Sequence, residues 1–217
     1  MRFVRERAET VYQEFHDSAA GRELRWVLSR ETFRDAKNGG TITRAVIRHP
    51  GIAVIVPFLD ADHILLVRQP RVAAGMDLWE LPAGTIDAHA SGDAVVASES
   101  PYDCAARELR EETGYRAGRL TAVAQFFMSP GSMDQVANLF FAHDLERAGP
   151  EPDPDDEIAA VQPFAATDLA RMMATGELRD AKTLVGLAYA LGEVAGRSLV
   201  GGPEMAPHTP RRSDRPG

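Results

Sequence analysis

The sequence predicts an α/β sandwich, because strand-like and helical segments follow one another in the order such a fold needs. Three observations carry this expectation. Ile52–Phe58 and His63–Gln69 are short apolar runs, divided by an Asp60-Ala61-Asp62 turn, with the length of buried strands. A helix opens at Pro101 with punctuation at both ends. β-prone runs then give way to two helical segments near the C-terminus. No Gly-x-Gly-x-x-Gly follows a strand and no loop ends in Gly-Lys-Ser/Thr, which argues against a Rossmann or P-loop domain.

Taken in order, residues 1–20 carry Val4, Ala8, Val11, Tyr12 and Phe15 at helical spacing, so an amphipathic helical arm is expected there. Between Trp26 and His49 two β-prone runs flank Asn38-Gly39-Gly40, a turn suited to positive φ, and a hairpin is expected. A loop-rich stretch with Pro70, Gly75, Pro82 and Gly84 follows the buried strands. Ala88–Ser98 reads as a polar, Ala/Ser/Gly-rich insertion. Ser100 suits the N-cap of the next helix, Pro101 its first position and Asp103 the capping partner, while Gly114 suits a left-handed C-cap. Strands are expected at Leu120–Met128, Val136–Asp144 and about Ile158–Phe164, and helices near Thr167–Ala174 and Ala181–Val194. The organisation is therefore an arm and hairpin over 1–48, a main domain over 49–197, and a Pro/Arg-rich tail over 198–217 expected to be disordered.

The 217 residues suffice for one well-buried domain. A net charge of −8 supplies no global attraction for nucleic acid or anionic lipid, so any site for an anionic small molecule needs local cations. Cys104 is the single cysteine, which rules out an intrachain disulfide and gives no sign of an oxidising compartment. The N-terminus lacks the apolar core of a signal peptide, and no apolar run approaches a membrane span of about 20 residues. A cytoplasmic protein is the expectation.

The chemistry concentrates in Glu99–Tyr115, ESPYDCAARELREETGY. On a helix from Pro101, Glu108, Glu111 and Glu112 share one face. Three close like charges repel unless a cation lies among them, and carboxylates are ligands that Mg²⁺ prefers. A solvated acidic face is the competing reading of the glutamates alone.

The wider pattern resembles the Nudix box: Glu99, seven residues, then Arg-Glu-Leu-Arg-Glu-Glu-Thr-Gly-Tyr. Leu81-Pro82-Ala83-Gly84 supplies the opening glycine, but fourteen residues separate Gly84 from Glu99 where the family has five. The resemblance implies an α/β/α sandwich with a mixed sheet. It implies a divalent cation, Mg²⁺ or Mn²⁺, held by Glu108, Glu112, Glu111 and the Ala83 carbonyl. Arg107 would orient the glutamates, and Gly84, Glu99 and Gly114 would serve the motif's structure.

Outside the box, HPG, LLVRQPR, WELPAG, SPG and DAKTL resemble the ADP-ribose pyrophosphatase branch. That implies a nucleoside-diphosphate sugar as small-molecule substrate and a homodimer built through the N-terminal segment. Substrate contacts would come from Arg68, Arg71, Ser129, Gly131 and Gln135, and a general base from Asp155-Asp156-Glu157, with Glu157 aligning best. Gln135 departs from the branch, which usually has Glu there, so GDP-mannose or a similar substrate stays open. A nucleotide-sensing module without catalysis is the alternative of another class, although such proteins usually lose box glutamates and this chain keeps them. Cys104 suits packing better than nucleophilic work. The six histidines show no metal-ligand spacing. Trp26 and Phe33 suit packing more than base stacking.

Overall fold

In the computed structural model, residues 2–18, 21–91, 94–149 and 158–197 are described. Along the chain run β1 (Phe3–Ser18), β2 (Gly21–Asp35), β3 (Thr41–Arg48), β4 (Ile52–Pro57) and β5 (His63–Arg71). A 3-10 turn, β6 (Met76–Glu80), β7 (Ala83–Thr85), β8 (Ala88–Ser91) and β9 (Ala94–Ala97) follow. Then come α1 (Pro101–Thr113), β10 (Tyr115–Phe127), β11 (Val136–Arg147), β12 (Ala160–Ala165), α2 (Ala166–Thr175) and α3 (Ala181–Val194). The tail 198–217 and the acidic run Asp155–Glu157 lie outside the described residues.

Strand β4 is the centre of the fold, buried at every position. It pairs in parallel with β11 and antiparallel with β7, and β10 completes a mixed sheet in the order β10-β11-β4-β7. Successive side chains of a strand point to opposite faces. Ile52, Val54 and Val56 therefore join Leu139, Phe141 and Leu187 in one core, while Ala53 and Ile55 join Phe140, Ala105 and Leu109 in another. Helix α3 thus covers one face and α1 the other, giving the α/β/α sandwich. On its face α3 comes close because Gly186 has no side chain, since a Cβ there would lie 2.4 Å from Leu81 Cδ1. A second, antiparallel sheet has the order β12-β5-β6.

The N-terminus corrects the expectation of a helical arm. Residues 3–18 form a strand that pairs along its length with β2, and the expected hairpin β2–β3 becomes two strands of a three-stranded sheet. Its charges explain the choice. Arg2, Arg34 and Arg30 meet Asp35, Glu6 and Glu9 respectively, so alternating acids and bases pair across strands instead of along a helix. The hairpin turn is as expected, with Gly39 at φ 73°. The loop-rich stretch before the box carries β6 and β7, whose partners β5 and β4 supply the ladders that its prolines and glycines obscure.

Ala88–Ser98 is likewise more than a polar loop. Its residues form the hairpin β8–β9, in which Ala88 and Val95 bury themselves against Leu24 and Val27 of β2. The N-terminal sheet meets the main domain at a second place, where Ile47 pairs with Met133 and the Ile47 N–H donates to the Ser132 carbonyl at 2.9 Å.

A buried ion pair reinforces that junction. Glu31 on β2 is fully buried, and burial would raise its pKa, but hydrogen bonds from Arg48 and Ser29 hold it below the ordinary carboxylate range. Arg48 spans the junction, with Nε 2.8 Å from Glu31 Oε1 and Nη1 2.8 Å from Asp134 Oδ2. Truncating it leaves the buried carboxylate with only Ser29 at 2.8 Å and the more distant Arg5 at 3.6 Å among the described residues. Arg48→Ala should therefore lower unfolding stability by about 3 kcal/mol in urea titration. A loss below about 1 kcal/mol, the worth of a surface pair, would show that the bridge is not the joint described.

Candidate active site

The box helix begins as its sequence dictates. The Ser100 hydroxyl accepts from the Asp103 N–H at 3.1 Å, Pro101 occupies the first turn, and Gly114 closes the helix at φ 72°. These caps set the phase of α1, so that Cys104, Ala105 and Leu109 face the sheet while Glu108 and Glu112 lie buried at the edge of the core. Cys104 is fully buried, and burial holds its thiol far above the ordinary range, which fits packing and not nucleophilic attack.

Arg107 is the hub of the site. Its Nε and Nη2 clasp the two oxygens of Glu99, each at 3.0 Å. Its Nη1 reaches Glu108 Oε1 at 2.7 Å and Glu111 Oε2 at 2.8 Å, and Nη2 also donates to the Thr85 carbonyl at 3.3 Å. Burial opposes the guanidinium's charge, but Glu99 and Glu108 outweigh it and hold the pKa above the usual value. Beside it, burial and then Glu99 push the Asp87 carboxyl up to about 6.

Gly84 has its own steric reason. A Cβ at that position would stand 1.7 Å from Glu108 Oε1, so the carboxylate occupies space that only glycine leaves. Glu112 is held differently: Gln69 Nε2 donates to Oε1 and the Ala83 N–H to Oε2, both at 3.0 Å. Ala83, Gly84, Glu99, Glu108, Glu111 and Glu112 are thereby gathered around one end of the sheet. Among the described residues no three acidic or histidine side chains already converge on a point as they would around an ion, and Arg107 holds part of that space. The donor set still fits a hard divalent cation, since the helix edge offers carboxylate oxygens only.

Arg71 is clamped by Glu80 through Nε at 2.8 Å and Nη2 at 2.7 Å, and it feels the charges of Glu112 and Asp180. Glu80 is buried and also binds Lys182, which binds Asp180 Oδ2 at 3.0 Å. Arg68, by contrast, is half-exposed and paired with Asp77 at 3.1 Å. Ser129 and Gly131 belong to an exposed turn, in which the Ser129 carbonyl accepts from the Met133 N–H at 2.9 Å. Gln135 turns to His49, side chain to side chain at 2.9 Å. Glu157 and its acidic neighbours lie outside the described residues. Gln69, Glu80, Lys182 and His49 fall inside the blocks LLVRQPR, WELPAG, DAKTL and HPG. The contacts that tie Gln69 to Glu112, Glu80 to Lys182 and His49 to Gln135 span 43, 102 and 86 residues and are invisible in the sequence.

The NUDIX domain family model matches residues 48–185, which covers the box, the mixed sheet, α1 and α2, and the start of α3. The chain belongs to the Nudix family. It is similar to the ADP-ribose pyrophosphatase of Bacillus subtilis (strain 168), at 31% identity over 70% of this chain and 78% of that protein. It is also similar to the ADP-ribose pyrophosphatase of Mycobacterium tuberculosis, at 33% over 75% and 74%. The GDP-mannose pyrophosphatase of Klebsiella pneumoniae is 30% identical over 76% of this chain and 84% of that protein. A crystal structure of an ADP compounds hydrolase superposes with a TM-score of 0.67 at 22% identity, covering 91% and 97%, which supports the Nudix fold.

His49 ties the N-terminal sheet to the loop after β10, and its protonation has a measurable consequence. Its Nδ1 accepts from the Gly51 N–H at 3.0 Å, which leaves the neutral ring with its proton on Nε2, and the Gln135 amide must turn its oxygen, not its NH₂, to that proton. Burial pushes its pKa down to about 4, Asp134 opposing and Arg25 reinforcing the shift. Between about 6.5 and about 4 the unfolded chain therefore binds a proton that the folded chain does not, and stability falls as pH is lowered through that window. Going from pH 7 to about 4.5, the wild type should lose about 2 kcal/mol more than His49→Gln. Equal losses in paired urea titrations would overturn this.

Proposed function

We propose that this protein hydrolyses the diphosphate of a nucleoside-diphosphate sugar, with ADP-ribose, cleaved to AMP and ribose 5-phosphate, as its substrate. The observation that carries the reading is the arrangement of Glu108, Glu111 and Glu112 along one helix edge under Arg107, facing Ala83 and Gly84. The curated names of the two ADP-ribose pyrophosphatases support the substrate class. Mg²⁺ or Mn²⁺ would be held by Glu108, Glu112, Glu111 and the Ala83 carbonyl. When bound, such an ion neutralises diphosphate oxygens and activates the attacking water.

The chain's own side chains divide the rest of the work. Arg71, already oriented as a fork by Glu80, would bind substrate phosphate oxygens, and Arg68 would add charge at the rim. Ser129, Gly131 and Gln135 would border the sugar. Glu157 would take the proton of the attacking water as general base. A second reading, GDP-mannose, is favoured by one observation: Gln135 stands where the branch carries Glu, and pyrophosphatases of that name are among the relatives.

Incubation with Mg²⁺ or Mn²⁺ and a panel of nucleoside-diphosphate sugars in ¹⁸O-water tests both readings. AMP and ribose 5-phosphate are the expected products from ADP-ribose. Glu112→Gln should abolish most metal-dependent turnover, and Glu157→Gln should lower kcat by about 10²–10⁴-fold with little change in KM. Much faster cleavage of GDP-mannose would replace the substrate, and near-wild-type rates for Glu112→Gln would sink the metal assignment.

We also propose that the protein is a homodimer joined through its N-terminal sheet. Val4, Val11 and Tyr12 of β1 are more than half exposed, and β1 is the edge of its sheet. Light scattering at micromolar concentration should give twice the mass of one chain, and Val11→Lys with Tyr12→Lys should return it to a monomer. A wild-type monomer would overturn the proposal.

A further inference from the structure

We infer that Gln69 is a positioning residue, which aims the Glu112 carboxylate at the cation while leaving its charge intact. This rests on the metal reading above. Gln69 lies near the end of β5 and is buried, as is Glu112, so neither side chain relies on bulk water to fix its geometry. The contact between them joins residues 43 apart in sequence, Nε2 to Oε1 at 3.0 Å. A carboxylate only accepts, so the amide must present its NH₂ and not its oxygen, and the flip of Gln69 is settled by its partner. The Ala83 N–H takes the other oxygen at 3.0 Å. One donor comes from β5 and one from the loop carrying Gly84, and together they fix both the position and the rotation of the carboxylate.

The contrast with the other two glutamates gives the arrangement its meaning. Arg107 binds Glu108 and Glu111 with a full positive charge, which a cation must displace or share. Glu112 receives neutral donors at both oxygens, from Gln69 and from the Ala83 N–H, and the charge of Arg71 acts on it from nearby. Outer partners of this kind typically govern metal affinity by about 10–100-fold. The same face of β5 carries Arg71, two residues on, clamped by Glu80. One strand thus orients a metal-binding carboxylate and a phosphate-binding fork.

The test uses Gln69→Met, which keeps length and volume but removes the donor. Calorimetric titration with Mn²⁺ alone should show affinity about 10–100-fold weaker than wild type. The Mn²⁺ concentration for half-maximal turnover should rise in parallel, while KM for the nucleotide sugar at saturating Mn²⁺ stays within about threefold. Should the Met variant not fold, Gln69→Asn, which withdraws the amide by one methylene, is expected to show the same loss. Mn²⁺ affinity within about twofold of wild type in a folded variant, with only the melting temperature lowered, would overturn the inference and leave Gln69 a packing residue. Glu112→Gln, titrated alongside, separates the two levels of the argument. If that variant binds Mn²⁺ as wild type does, the metal reading itself is wrong. If it loses Mn²⁺ and Gln69→Met does not, only the role of Gln69 falls.

Discussion

Five N–H donors on one guanidinium organise most of the acidic surface around the box helix. The helix sets Glu108 and Glu111 side by side and Glu99 just ahead of it, where their charges would repel one another without a cation between them. Arg107 removes that repulsion and adds direction, because its planar fork fixes where each carboxylate oxygen lies. It also donates to the Thr85 carbonyl, so the loop leaving the sheet and the helix covering it are held by one side chain. Charge repulsion thus becomes a means of placing oxygens. The glycine at position 84 completes the arrangement by leaving room for the carboxylate of Glu108.

A second chain of polar contacts runs away from this centre. Glu31 holds Arg48, Arg48 holds Asp134, and the other oxygen of Asp134 accepts the His49 N–H at 2.9 Å. His49 in turn meets Gln135. The position at which the sequence departs from its branch is therefore bound to a neutral imidazole at the junction of the two sheets. A carboxylate in place of Gln135 would face a ring whose proton is fixed by the Gly51 N–H. The departure and the half-buried histidine make one chemical unit, which involves the loop bearing Ser129 and Gly131.

What was legible in the sequence was local. Ser100, Pro101, Asp103 and Gly114 lie within one helix, and their meaning needs nothing from the rest of the chain. The strands β4 and β5 were legible for the same reason, being continuous apolar runs bounded by turns. Residues 3–18 misled because Val4, Ala8, Val11, Tyr12 and Phe15 fit a helical stripe, while the partners of their charged neighbours lie on another strand and cannot be seen from the segment alone. Gln69 with Glu112 and Glu80 with Lys182 are separated by 43 and 102 residues, and only the fold brings them together. Of the site, the acidic helix edge and the Arg107 that orients two of its glutamates could be read, and the donors that aim Glu112 could not.

The hairpin β8–β9 changes what the box is in this chain. Its apolar side, Ala88 and Val95, is buried on Leu24 and Val27, so the segment between Gly84 and Glu99 is anchored in a sheet that lies outside the matched family region. The Nudix box of this protein is accordingly not a portable cassette. Moved into another Nudix scaffold, the stretch from Gly84 to Gly114 would arrive with an uncovered sticky patch. Shortened to the family's usual five residues, it would leave Leu24 and Val27 bare at home. Insertion and N-terminal sheet are a lock and its keeper, and any lineage that drops one should be found to have rebuilt the other.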